Sequence, residues 1–328
     1  MSITDHSSQP LVSVIIPTYN RPEYLKQAIY SAVTQTYQNI EIIVSDNCSP
    51  ESPQSLVESF ADPRIRFWQH PENVGMLKNQ MNAFQMANGK YVASLHDDDM
   101  WTPQFLAQLI PQLEQDSNLI IAFSDQYIID SQGKIDNIKT EEFSRVYKRD
   151  QLSSGVYWDF QKIGLIDKSI PTASACVIRN GLIDWDSIPL EVGGMWDLYI
   201  TYLCCVSGYG LYYEPEKLTY YRNHEQTDTN LSGSRNIKAK IRNAKSAIFC
   251  YQIFMDDPKI KNLQPHFRKL WLEAHTTLGI GLMRDQQNMD ARSLFWQTLQ
   301  EQKFNLRTFI ALILSFIPAK FTNKLLGA

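Results

Sequence analysis

The segment LVSVII at residues 11–16 is an apolar run rich in β-branched side chains, stopped by Pro17. Such a run suits a strand covered on both faces. The following residues supply a cover. Asn20 and Glu23 have capping-box spacing, and Pro22 stands in the first turn, where its missing donor costs little. Leu25, Ala28, Ile29, Ala32 and Val33 then recur at helical intervals. Strand, short loop and helix therefore occupy residues 11–35. The unit recurs. Ile40–Ser45 reads as a strand ending at Asp46, Ser52–Phe60 as a helix and Arg64–Trp68 as a strand. Leu77–Ala87 reads as a helix closed by Asn88-Gly89, Tyr91–Leu95 as a strand and Pro103–Leu113 as a helix.

This alternation predicts an α/β fold, a layered and mostly parallel sheet flanked by helices. Ligands of such sheets bind at the carboxyl ends of the strands. Thr18–Arg21, Asp46–Ser49 and His96–Asp99 all fall there, so three polar loops are expected to converge on one edge. Further on, Ile120–Ile129 reads as one or two strands, residues 134–170 as loop, and Thr172–Ile178 as a return to the sheet. Trp196–Val206 reads as a helix and Leu211–Tyr213 as a strand. Beyond Asn236 the pattern is helical to about Lys324. The expected organisation is a first domain over 1–235, with a ligand-binding part (11–115) and a second part (116–235), followed by a C-terminal helical region over 236–328.

Composition removes several classes. Acidic residues number 35 against 31 basic, a formal net charge of -4 that gives no electrostatic case for nucleic acid and is too mild for a cationic partner. Cys48, Cys176, Cys204, Cys205 and Cys250 form no CxxC pair and read as buried thiols of a reducing, cytoplasmic compartment. The six histidines form no HExxH pattern. No secretory leader is expected in MSITDHSSQP. The most apolar stretch, Phe309–Pro318, falls short of the roughly 18 residues of a membrane span. Asn305–Ala328 combines that stretch with Arg307, Lys320 and Lys324. It reads either as a helix lying on a membrane surface or as a core helix with a basic end.

Asp97, Asp98 and Asp99 follow an apolar strand directly. Carboxylates held close raise one another's pKa, and a divalent cation or a set of donors would offset that. Mg²⁺ or Mn²⁺ takes oxygen ligands and leaves positions for phosphates and water. Strand alternation puts Asp97 and Asp99 on one face, and a tight turn would change that. The plainer alternative is a solvated acidic turn ahead of the helix near Pro103.

The opening VSVIIPTYNRPEYLKQAIYSAVTQTYQNIEIIVSDNCS, the stretch ENVGMLKNQMNAF and the run NGKYVASLHDDDMWTPQFL resemble family 2 glycosyltransferases with the GT-A fold, over about residues 11–113. Fainter likeness at GGMWDLYI and YYRNHEQT extends it to about residue 230. The resemblance implies a metal-dependent, inverting transferase that moves a sugar from a nucleoside diphosphate, UDP favoured, to a saccharide or lipid-linked glycan of the cell envelope. It implies that Pro17, Thr18, Tyr19 and Arg21 line the nucleotide pocket, that Asp46 accepts from the base, and that Asn73, Gly75 and Asn79 border the nucleotide. The family's acidic motif maps to 96–99. This implies a metal ligand at Asp98, with Asp99 as a second carboxylate and Asp97 or His96 beside the ribose. His96 departs from the Asp that many members carry. Arg222 and His224 in YYRNHEQT correspond to residues that approach phosphates or metal; an ordinary surface loop is the alternative.

The family's usual Glu-Asp pair would fall on Gly194 and Met195, so it is absent. Asp197 is the nearest acid and the expected general base, with Glu191 in reserve. A helix N-terminal charge is the plainer role for Asp197. Tyr157, Trp158, Trp185 and Trp196 are candidates to stack on an acceptor sugar, or simply to pack. Two rivals remain. A sugar-phosphate nucleotidyltransferase would need a Gly-rich basic loop where PTYNRPE stands. A non-catalytic sugar-binding homologue would explain the missing pair. Peripheral membrane contact through the C-terminal region is expected if the acceptor is lipid-linked.

Overall fold

A computed structural model describes residues 9–224, 236–301 and 305–317. The first apolar run forms β1 (Val12–Thr18), and residues 12–16 are all buried. Behind it alternate α1 (Pro22–Val33), β2 (Ile40–Asp46), α2 (Gln54–Glu58), β3 (Ile65–Gln69), α3 (Met76–Gln85) and β4 (Tyr91–Ser94). β1 lies between β2 and β4 and runs parallel to both, so it has no edge and no wet face. The capping-box spacing is not used. The helix starts at Pro22 with Arg21 in the cap position. Asn20 takes a left-handed φ of 54°, and its amide donates to Ser49 Oγ at 2.8 Å. The turn has been given over to joining two loops.

The chain continues through β5 (Met100–Trp101), α4 (Phe105–Gln115), β6 (Leu119–Ile129), α5 (Asn137–Val146), β7 (Gly155–Tyr157), β8 (Cys176–Arg179), α6 (Trp196–Val206) and β9 (Gly210–Arg222). Among the described residues these strands form one nine-stranded sheet, ordered β3-β2-β1-β4-β8-β6-β9-β5, with β7 also on β9. The expected parallel layer is the β3-β2-β1-β4 half. β8 then enters antiparallel to both β4 and β6, and β5 and β7 pair antiparallel with β9, so the sheet as a whole is mixed. Val14, Ile16, Ala28, Val44, Leu106 and Leu109 belong to one buried cluster on a face of this sheet. Each large aliphatic side chain there is worth about 1.5–3 kcal/mol of burial.

Two elements escaped the sequence pattern for identifiable reasons. α5 lies in the stretch read as loop. It buries only Thr140 and Ser144 and so has no apolar stripe; its start is set by Asp136, whose Oδ1 accepts from Lys139 N at 3.0 Å. β9 runs well past Tyr213 because it continues through Glu214, Glu216 and Lys217, polar residues that hide a strand which pairs with β6 across register shifts near Asp125.

Gly89 closes tightly on β1. A Cβ there would meet Ser13 N at 2.6 Å and Tyr91 O at 2.7 Å. Gly89→Ala should therefore lower stability by about 1–3 kcal/mol in urea denaturation; an unchanged midpoint would mean that the β1–β4 junction yields freely.

The chain divides into two compact units, Met1–Leu190 with Asp197–Asn223, and Glu191–Trp196 with His224–Ala328. The sheet lies in the first. The second contains α7 (Ile237–Asp256), α8 (Gln264–Arg284), α9 (Asn288–Glu301) and α10 (Leu306–Leu314). Among the described residues no helix is long and apolar enough to cross a membrane. All five cysteines are free thiols. Lys320 and Lys324, and the Glu225–Thr227 end of YYRNHEQT, lie outside the described residues.

Candidate functional site

The strand ends are flush. Thr18 pairs in register with Asp46, and Asp46 with Gln69, so β1, β2 and β3 finish on one line. Side chains then tie the loops beyond them together. Thr18 Oγ1 donates to Asp97 Oδ2 at 2.8 Å, and the Tyr19 amide reaches the same oxygen at 3.4 Å. Arg21 Nη1 donates to Asp97 Oδ1 at 3.2 Å and to Asp98 Oδ2 at 2.7 Å. Residues 17–21, 46–49 and 96–99 therefore form one site, the convergence expected from the strand–helix alternation.

The acidic loop is held from behind. Ser174, just before β8, donates to Asp99 Oδ2 at 2.6 Å and accepts from the His96 amide at 3.3 Å. The Arg222 amide donates to Asp99 Oδ1 at 2.8 Å. The Arg222 side chain is 1% exposed. Its Nε donates to Asp98 O at 2.7 Å, Nη1 to Asp130 O and Ser131 O at 3.2 and 3.3 Å, and Nη2 to Gln27 Oε1 at 2.7 Å. Tyr24 covers its face at 4.6 Å. The guanidinium is thus engaged with loop carbonyls, which is a positioning arrangement. Arg222→Met should cost about 3 kcal/mol in denaturant titration, because several buried acceptors lose their donor together; a loss below about 1 kcal/mol would contradict this bracing.

Electrostatics mark the loop as built for positive charge. Burial, then repulsion from Asp98, pushes the Asp97 carboxyl up to about 7, against the pull of Arg21 and Thr18. The same two causes push Asp99 well above the carboxylate range, against Ser174 and Arg222. One ligand atom from each of His96, Asp98 and Asp99 lies within 4.8 Å of the others. An imidazole nitrogen and two carboxylate oxygens at that spacing fit a divalent cation of the Mn²⁺ or Mg²⁺ kind. The group joins Asp98 and Asp99 with His96, which the sequence reading had placed beside the ribose.

Asp46 is fully buried, with Oδ1 accepting from Ser49 Oγ and Oδ2 from Ser49 N at 3.0 Å and Gln69 Nε2 at 2.8 Å. Asn73 Oδ1 accepts from Asn47 Nδ2 at 3.1 Å and Gly75 N at 3.0 Å, while Gly75, at φ 87°, leads into α3. Asn79 is turned inward. It donates to Ser45 O at 3.0 Å and accepts from Ser45 Oγ at 2.7 Å, joining α3 to β2. Pro17 is half-buried, and Tyr19 is exposed at the rim. Ser49, Gln69 and Ser174 were not singled out from sequence. Gln69 follows from strand register with Asp46 and Ser49 from the turn three residues beyond it, whereas Ser174 has no local signal because β8 is brought in by topology.

Asp197 opens α6. Solvent reaches it, yet the protein packed around its carboxyl raises its pKa; the Leu198 amide, at 2.7 Å, and the charges of His96 and Lys168 pull the other way. Its carboxylate is therefore within electrostatic range of the acidic loop. Glu191, exposed on a short 3₁₀ turn, and His224, buried, belong to the second unit. Of the aromatics, Trp185 stacks on Phe84 at 4.3 Å, a packing role, and Trp158 is exposed.

Comparison with known proteins agrees with this geometry. The family described as Glycosyl transferase family 2 matches residues 13–166. A candidate colanic acid biosynthesis glycosyl transferase of Escherichia coli K12, WcaA, is 32% identical over 130 residues, 39% of this chain and 46% of that protein. The chain spans about half the length of the curated relatives it matches. Among solved structures, the mannosyltransferase PcManGT of Pyrobaculum calidifontis, in complex with GDP-Man and Mn²⁺, superposes with a TM-score of 0.56 at 16% identity, over 98% of this chain and 86% of that one. Residues 1–349 of S. aureus TarS, in complex with UDP-GlcNAc, give 0.58 at 14% identity, over 95% and 91%. At these identities the structural likeness speaks for the shared fold.

Proposed function

We propose, with residues 13–166 belonging to glycosyl transferase family 2, that this chain transfers a sugar with inversion from a nucleoside diphosphate sugar to an acceptor hydroxyl. A uridine donor is favoured. The acceptor is a saccharide or lipid-linked glycan of envelope polysaccharide synthesis, and the enzyme works in the cytoplasm, seated peripherally on the membrane. The likeness to WcaA supports the polysaccharide setting. The observation that carries the reading is the knot of three strand-end loops, with Arg21 and Thr18 bonded to Asp97 beside the cluster of His96, Asp98 and Asp99.

In this reading Pro17, Thr18, Tyr19 and Asp46 form the nucleoside pocket, bordered by Asn73 and Gly75, with Asn79 fixing the strand beneath. Asp97 stands by the ribose. Arg21 is held at the mouth of the phosphate site, and Arg222 keeps the loop in shape. A cation held by Asp98 and Asp99, with His96 and with His224 as a further ligand, would neutralise the charge that builds on the departing diphosphate. Asp197, or Glu191 in reserve, takes the proton from the acceptor hydroxyl. That oxygen bonds to the anomeric carbon as the carbon–phosphate-oxygen bond breaks, and the diphosphate leaves with the bonding pair. A raised carboxyl pKa suits Asp197 to this role.

The test is donor turnover across UDP-, GDP- and dTDP-sugars, with cation and with chelator. One donor class hydrolysed only with cation supports the proposal; no turnover and no binding for any donor would overturn it.

A further inference from the structure

Residues 171–175, which lead into β8, hold the acidic loop at one end and α6 at the other. All three segments lie in the first unit. The stretch is a closed turn. The amides of Ser174 and Ala175 both donate to Pro171 O, at 3.3 and 3.0 Å, and the Pro171 ring fixes its own φ. Ala175 O accepts from the Ser124 amide at 3.0 Å and Thr172 O from Cys176 Sγ at 3.4 Å, which seats the turn on β6 and β8. Thr172 and Ser174, both buried, therefore sit on one short, fixed piece of backbone.

At the near end, Ser174 serves two of the three residues grouped for a cation. Its Oγ donates to Asp99 Oδ2 and accepts from the His96 amide, and its carbonyl accepts from Trp101 Nε1 at 2.7 Å. At the far end, Thr201 Oγ1 donates to the Asp197 carbonyl at 2.9 Å, one turn back on α6. That hydrogen being used, the 2.6 Å contact between the Thr172 and Thr201 hydroxyls has Thr172 as donor. A buried connection thus runs from Asp99 and His96 through Ser174 and Thr172 to Thr201 and the backbone of Asp197. Its hydroxyls are shielded from water, where such bonds are strongest.

We propose that residues 171–175 are a strut that sets the placement of Asp197 relative to the cation ligands, with Thr172 and Ser174 as positioning residues. This deepens the function proposed above and rests on its assignment of His96, Asp98, Asp99 and Asp197. Transfer needs the base and the cation held at a fixed separation, since small misplacements cost rate steeply. Thr172 bonds to α6 rather than to the acidic loop, so any effect of its hydroxyl on the cation must pass along the turn.

The test is titration of Mn²⁺ alone into the full chain, followed by electron paramagnetic resonance, beside steady-state kinetics at saturating Mn²⁺ and a thermal melt. Ser174→Ala should weaken Mn²⁺ binding about 10- to 100-fold. Thr172→Val keeps the side chain's shape and removes the hydroxyl. It should weaken Mn²⁺ binding roughly threefold or more and lower kcat about tenfold, with donor KM within about twofold. Thr172→Ser restores the donor and should restore both values. Thr172→Val with Ser174→Ala should bind Mn²⁺ within about twofold of Ser174→Ala alone, because cutting one end already frees the other. A plain packing role predicts a lower melting temperature in Thr172→Val with wild-type Mn²⁺ affinity. Wild-type Mn²⁺ affinity in that variant, whatever its melt, would overturn the proposal, and so would additive losses in the double variant. The expected Mn²⁺ pattern without donor turnover by the wild type would instead count against the transferase reading alone.

Discussion

Asp98→Asn is expected to lower sugar transfer about 1,000-fold or more, the scale on which a lost charge at a departing diphosphate is felt. The variant separates chemistry from folding unusually well. Asn keeps the shape of the side chain and can still accept from Arg21, which lies 2.7 Å from Asp98 Oδ2. Yet the Asp98 charge, after burial itself, is the second cause that raises Asp97 and Asp99. Removing it relieves repulsion inside a buried loop, so the folded protein should melt at the wild-type temperature or above it. Steady-state kcat/KM with the preferred donor, measured beside a thermal melt, checks both halves. Activity within tenfold of wild type would take Asp98 out of the diphosphate site. A collapsed melt would mean that the acidic loop is chiefly structural.

For Asp197→Asn the expected result is a fall in kcat of about 100- to 10,000-fold, the range over which a positioned general base contributes. Donor affinity should stay within about twofold, because the reading gives Asp197 no part in the nucleotide pocket. The raised carboxyl and the coupling to His96 and Lys168 put this acid near the acidic loop in an accessible position. Its amide contact to Leu198 is local, so a merely helix-stabilising role predicts a small loss of stability and little change in kcat. Full activity in Asp197→Asn together with loss in Glu191→Gln would move the base to Glu191.

How much of this could be read from sequence depended on whether a feature was local or topological. The run at 12–16, the helical spacing from Leu25 to Val33 and the strand ending at Asp46 are local, and they sufficed to bring Thr18, Asp46 and Asp97 to one edge. α5 and the far half of β9 were hidden because polar faces erase periodicity. The direction of side chains in the acidic turn was equally hidden. Alternation paired Asp97 with Asp99, whereas the turn bonds Asp97 to Thr18 and groups Asp98 and Asp99 with His96. Arg222 illustrates a third kind of blindness. A lone arginine near the site reads as an anion donor, and only the positions of four carbonyl or amide oxygens reveal that four of its five N–H donors are already used.

In the proposed function, carboxylates at the strand ends bind a diphosphate through a cation. Calorimetric titration of UDP into the full chain, with Mn²⁺ and again after chelation, tests it most directly. The account predicts that chelation weakens binding by about 100-fold or more, and that Asp98→Asn binds weakly whether or not the metal is present. Equal affinity in the presence and absence of metal, or a variant that binds UDP as the wild type does, would contradict it.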